Sequence, residues 1–87
     1  MNRVLDPRLA DILEYRFSDD VPKEVLDGAH RIARRLLACH TWGDVTFTTD
    51  PIELEAGEFA APILGKWSII FTWDEEAGAN RLRLQRL

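Results

Sequence analysis

Apolar and polar positions alternate strictly near the end of the chain: Trp67, Ile69, Phe71 and Trp73 take every second place, with Lys66, Ser68, Ile70 and Thr72 between them. A period of two places these sets on opposite faces of a strand. Residues 59–63 read as the strand before it, ending where Gly65 permits a tight turn. After a polar loop at 74–78, Leu82 and Leu84 alternate with Arg81, Arg83 and Gln85 in a final strand. The pattern predicts a three-strand meander with its aromatic face against helices and Lys66, Ser68, Thr72, Arg81 and Arg83 on the open face.

The period changes in the first half. Asp6 before Pro7 is a helix start, because the carboxylate can accept first-turn N–H groups and Pro at the first helical position lacks a donor that is not needed there. Leu9, Ile12, Leu13 and Phe17 then follow helical spacing, predicting a helix over 7–16 with one inward apolar stripe. Ser18, Asp19 and Asp20 break it and offer caps for a longer second helix that begins at Pro22. Val25, Ala29, Ile32 and Leu36 form one row of that helix, and Leu26, Ala33 and Leu37 an adjoining one. Gly28 weakens it by about 1 kcal/mol relative to Ala unless close packing against the first helix requires a bare backbone. From 41 to 57 the periodicity lapses, and the expectation is a long connection with a short extended piece at 45–48. A further short strand at 2–5 joins the sheet edge. The predicted fold is α+β, a two-helix hairpin packed on a small antiparallel sheet of three to four strands, within a single domain spanning 1–87.

At 87 residues and 46% hydrophobic composition, the three Trp, four Phe and one Tyr must supply much of the burial, so most aromatics are expected in the core. Tyr15 fits as cover for a core edge and Trp42 as a lid on the second helix terminus. No apolar run approaches the roughly 20 residues of a membrane span, and no signal peptide opens the chain, so a cytoplasmic location is expected. Cys39 is the only Cys, and with His30 and His40 it makes a poor metal set; it reads as a small buried hydrophobe, and no metal or cofactor is expected.

The net charge of −4 argues against tight, sequence-blind binding to phosphate backbones, but the charge is unevenly placed. Residues 28–40 hold Arg31, Arg34 and Arg35 with no acidic residue, whereas 41–58 hold Asp44, Asp50, Glu53, Glu55 and Glu58 with no basic one. The three arginines fit either a solvated helix face or a binding patch. Lys66, Arg81 and Arg83 fit either a solubilising sheet face or a site in which rigidly held cations orient a phosphodiester and stabilise developing charge. His30 reads as a solvated polar-face residue. His40, at a carbonyl-rich helix end, suits the helix terminus, with a proton-transfer role open if the following loop folds back. No phosphate-binding Gly loop or Ser, His and Asp arrangement is present.

The tract Gly65-Lys66-Trp67-Ser68-Ile69-Ile70-Phe71-Thr72-Trp73, the polar turn after it and the terminal strand at 80–87 resemble the carboxyl-terminal half of HigB toxins, members of the RelE/ParE toxin–antitoxin superfamily. Leu36-Leu37-Ala38 and Thr41-Trp42-Gly43-Asp44-Val45 are similar to the family's second helix and the connection after it, so the resemblance covers roughly 25–87. It implies a toxin that cleaves messenger RNA on the ribosome without a metal and is neutralised by a cognate antitoxin, usually a helix-turn-helix protein. In that frame Lys66, Arg81, Arg83 and His40 are the catalytic candidates, and Arg31, Arg35 and Arg86 the RNA contacts. Three features depart from the family: Ser68 follows Trp67 where many relatives carry Arg, the chain ends Gln85-Arg86-Leu87 rather than in a Tyr-His pair, and the loop at 53–58 is acidic rather than basic. They leave open a catalytically degenerate protein-binding module, and the fold also admits topoisomerase inhibition of the ParE kind.

Overall fold

The structure, a computed structural model, describes residues 4–86. Its elements are α1 (Pro7–Tyr15), α2 (Lys23–Ala38), α3 (Trp42–Thr48), β1 (Ile52–Glu53), a 3₁₀ turn (Glu55–Gly57), β2 (Glu58–Leu64), β3 (Trp67–Asp74) and β4 (Gly78–Arg86). The four strands form one antiparallel sheet in the order β1-β2-β3-β4, so the α+β class and the β2-β3-β4 meander follow the sequence pattern, while the two-residue β1 adds an edge that periodicity did not signal.

Asp6 caps α1 as its position predicts, its Oδ1 accepting from Leu9 N at 2.8 Å. The helix stops at Tyr15 because Arg16 turns left-handed, with φ of 56°. Phe17 therefore leaves the inward stripe and stands exposed, as does Tyr15, which covers no core edge. The Ser18–Asp20 cluster does not cap α2, whose first residue follows Pro22 without a side-chain cap; Asp20 instead accepts from Ser18 and from Arg8.

The largest departure lies at 41–49. In place of an extended piece at 45–48, α3 begins with a capping box: Thr41 Oγ1 accepts from Asp44 N, while Asp44 Oδ2 accepts from the backbone of Thr41 and His40. Four threonines in the segment favour a strand by propensity, but the hydroxyls of Thr46 and Thr48 turn back onto the helix's own carbonyls, and Val45 is fully buried.

Helices and sheet share one core. Leu9 and Ile12 of α1 and Val25, Ala29, Ala33 and Leu36 of α2 meet Ala61, Ile69, Phe71, Leu82 and Leu84 of the sheet, with Trp67 and Trp73 packed against its margin. Trp42 is no simple helix lid. Its ring lies 4.6 Å from that of Phe59 and 5.7 Å from that of Trp73, binding α3 to the sheet. Gly28 is needed against β2 rather than against α1: a Cβ there would stand 2.6 Å from Ile63 Cγ2.

At the β4 edge, Leu5 bridges Leu82 in parallel, with Asp6 N donating to Leu82 O and Leu82 N to Val4 O. One step on, Leu84 N donates to Asp6 Oδ2 at 3.0 Å and Arg8 Nη2 to Leu84 O at 2.7 Å. The expected strand at 2–5 is thus a single bridge at Leu5, the positions before Val4 lying outside the described residues.

Candidate functional site

The sheet face away from the helices is less open than the alternation predicts. Ala60 and Ile70, register partners on that face, are fully buried although they stand outside the main core, and Ser68 is 6% exposed. Their cover is polar. Glu58, opposite Thr72, and Arg83, opposite Ile70, reach across β3 toward each other: Arg83 Nη1 donates to Glu58 Oε2 at 2.6 Å and Nη2 to Oε1 at 3.3 Å. Arg83 Nε donates to Gln85 Oε1, so all three of its guanidinium nitrogens are engaged. The Arg83 hydrogen bonds hold the Glu58 carboxyl below its usual range, with the charges of Arg83 and Arg81 adding to the effect. Glu58 in turn raises Arg83, against some loss from burial. This corner can present an ionised carboxylate beside two guanidinium groups.

Arg81 comes to this corner through an irregularity. Between the pairs Ile70–Arg83 and Thr72–Asn80 the β4 register shifts, and Arg81 takes φ of 51° while Asn80 Oδ1 accepts from its N–H. Arg81 is exposed.

The other sequence candidates lie elsewhere. Lys66 sits in the β2–β3 turn, where Gly65 takes φ of 58°, and is roughly 13 Å along β3 from Arg83's register partner Ile70. Arg86, opposite Trp67, is exposed at that same far end. His40 is exposed between α2 and α3, on the helix side of the sheet, with its backbone N–H spent on Asp44. Lys66, Arg81, Arg83 and His40 therefore do not form one constellation: Arg81 and Arg83 meet at Glu58, Lys66 lies at the other end, and His40 belongs to the helical layer. Sequence reasoning missed Glu58 by grouping it with the acidic loop. The available signal was its position at the first place of a strand whose alternation puts it on the Arg83 face.

A second basic region lies on the helical layer, where Arg16, Arg31, Arg34 and Arg35 line an open groove of about 670 Å³ with Asp27 and His30. His30 is not solvated as expected but buried, at 9% exposure. Burial, then the charges of Arg16 and Arg34, lower its pKa, and Asp27 opposes them. Arg31 and Arg35 thus share this groove, which Arg86 of β4 does not line. Cys39 is buried as expected, its thiol pushed up by burial and bonded to Arg35 O.

Among the described residues no cluster of three or more His, Cys, Asp or Glu is placed to hold a metal ion, and no helix is long and apolar enough to cross a membrane. No family model and no curated protein matches the chain.

Proposed function

We propose that this chain is the toxin component of a toxin–antitoxin pair, with a RelE/HigB-like scaffold, and that it cleaves messenger RNA on the ribosome without a metal at the Glu58–Arg83–Arg81 corner of the sheet. The observation that carries this reading is the convergence of one ionised carboxylate and two arginines on a rigid sheet face. Glu58 would accept the proton of a ribose 2′-hydroxyl, whose oxygen attacks the adjacent phosphorus as the bond from phosphorus to the 5′-oxygen breaks, leaving a 2′,3′-cyclic phosphate and a 5′-hydroxyl that takes its proton from water. Arg81 would hold the non-bridging oxygens as negative charge builds on them, while Arg83 keeps the Glu58 carboxylate in place. The partner this reading implies is a cognate antitoxin, of helix-turn-helix type in the family the chain resembles.

Inducible expression in a bacterial host tests the reading. Growth should arrest, co-expression of the adjacent antitoxin gene should relieve the arrest, and Glu58→Gln or Arg81→Ala should lower cleavage of ribosome-bound message about a hundredfold. Normal growth on induction of the wild-type chain would overturn it.

A catalytically degenerate protein-binding module is favoured by a different observation. All three guanidinium nitrogens of Arg83 already donate to Glu58 or Gln85, and Phe47 projects from α3 at 94% exposure. On that reading Glu58→Gln leaves cells and partner binding unaffected, while Phe47→Ser abolishes capture of the partner.

A further inference from the structure

The groove on the outer face of α2 concentrates cations that the fold itself does not use. Arg16, Arg31, Arg34 and Arg35 make no ion pair among the described residues, whose two salt bridges are Arg8–Asp20 and Arg83–Glu58. The chain holds fifteen carboxylates, yet only Asp27 reaches this groove. Arg31 stands three and four places from Arg34 and Arg35, spacings at which like charges repel across a helix face. His30 sits among them, buried and without a hydrogen-bond partner among the described residues, with a ring nitrogen left to offer a ligand.

Shape narrows the ligand. A volume of about 670 Å³ lies within the usual range for a small-molecule site. From Asp27 to Arg35 the groove extends roughly 12 Å along the helix. Asp27 closes one end with negative charge, which repels a phosphodiester chain continuing in that direction and suits hydroxyl or amino donors instead. Planar guanidinium forks engage phosphate oxygens in pairs, and several together match a compact, multiply charged anion better than a single carboxylate.

We propose that this groove binds an oligophosphate, a compact ligand with two or more adjacent phosphates such as a nucleoside diphosphate. The phosphates lie between Arg31, Arg34 and Arg35, Arg16 closes over them from the end of α1, and Asp27 faces the sugar. The site is on the opposite layer from the Glu58 corner and does not depend on the activity proposed there.

Calorimetric titration of the full chain at low ionic strength, with adenosine diphosphate, pyrophosphate, inorganic phosphate and a single-stranded oligouridine as probes, tests it. Adenosine diphosphate and pyrophosphate should bind at one site, weaken as salt rises, and exceed inorganic phosphate by about tenfold or more. Arg34→Ala and Arg35→Ala should each weaken binding about tenfold, and Arg34→Lys should restore only part of it. Both arginines are exposed, so the variants should keep the wild-type circular dichroism spectrum. Glu58→Gln, which disables the corner proposed for RNA cleavage, should leave diphosphate binding intact. The proposal is overturned if neither diphosphate binds, if only oligouridine binds, or if diphosphate binding survives the Arg34→Ala/Arg35→Ala double substitution.

Discussion

Arg83 on the sheet and the arginines of the α2 groove carry the same charge in opposite circumstances. Arg83 has all three guanidinium nitrogens engaged by Glu58 and Gln85, and the pair lies over the fully buried Ile70. Arg31, Arg34 and Arg35 share their groove with one another, Arg16 and a single carboxylate, Asp27, and only Arg35 also borders a neighbouring hollow with Asp44. A paired guanidinium contributes to the fold it sits on, while a cluster of unpaired ones repels itself and contributes only when something arrives to neutralise it. Formal charge counts both alike; the partners decide which surface is structural and which is waiting for a ligand.

The comparison depends on the two layers being fixed against each other at the Gly28–Ile63 contact. Gly28→Val would force a branched side chain into a space where even a Cβ stands 2.6 Å from Ile63, and should cost about 2–3 kcal/mol by urea denaturation, the largest effect expected. An unchanged denaturation midpoint would mean that α2 shifts freely over β2.

Acid should separate the two surfaces next. The folded pKa of Glu58 is lowered, chiefly by its hydrogen bonds from Arg83. Its contribution is therefore fully present above the unfolded carboxylate value, about 4.3, and is lost as pH falls through the lower folded value. The thermal midpoint of Glu58→Gln should lie below that of the wild type at pH 7, and the gap should close as the pH drops toward about 2. A gap that stays constant across this range would show the pair to be electrostatically idle.

The smallest effect has the opposite sign. Removing a repelling charge by Arg34→Gln should raise stability by a few tenths of a kcal/mol at low salt. The gain should disappear near 1 M salt, where the screening length falls to about 3 Å. Arg83→Gln should lower the midpoint under the same conditions. If both substitutions move it the same way, the distinction between paired and unpaired arginines fails.

Much of this arrangement can be read along the chain, and the missing parts have physical reasons. The α1 cap at Asp6, the buried rows of α2 and the alternation of β3 are periodic and local, so they are visible in one dimension. α3 was hidden because its threonines favour strands while the evidence for a helix lies in four residues, Thr41 to Asp44, acting through side-chain-to-backbone bonds. β1 is too short to carry a period at all. Of the candidate residues, the sequence places Arg31, Arg34 and Arg35 on one helix, but Arg16 joins them only because the chain turns left-handed there after α1. The Glu58–Arg83 pair spans 25 positions and two turns, a contact that register creates and composition cannot show. Register also separates Lys66 from Arg81, which the alternation alone had put together.

Asp6 gives one carboxylate two tasks, one oxygen holding the first turn of α1 and the other the backbone of Leu84, 78 residues further on. With Val4 and Arg8 it occupies the outward N–H and C=O groups of Leu82 and Leu84, groups that would otherwise template an incoming strand from another molecule. The first residues of the chain thus cover this edge of β4. Losing the Asp6 side chain would uncap α1 and at the same time leave the Leu84 N–H unpaired at the sheet margin, so that one substitution opens both ends of the chain's closure.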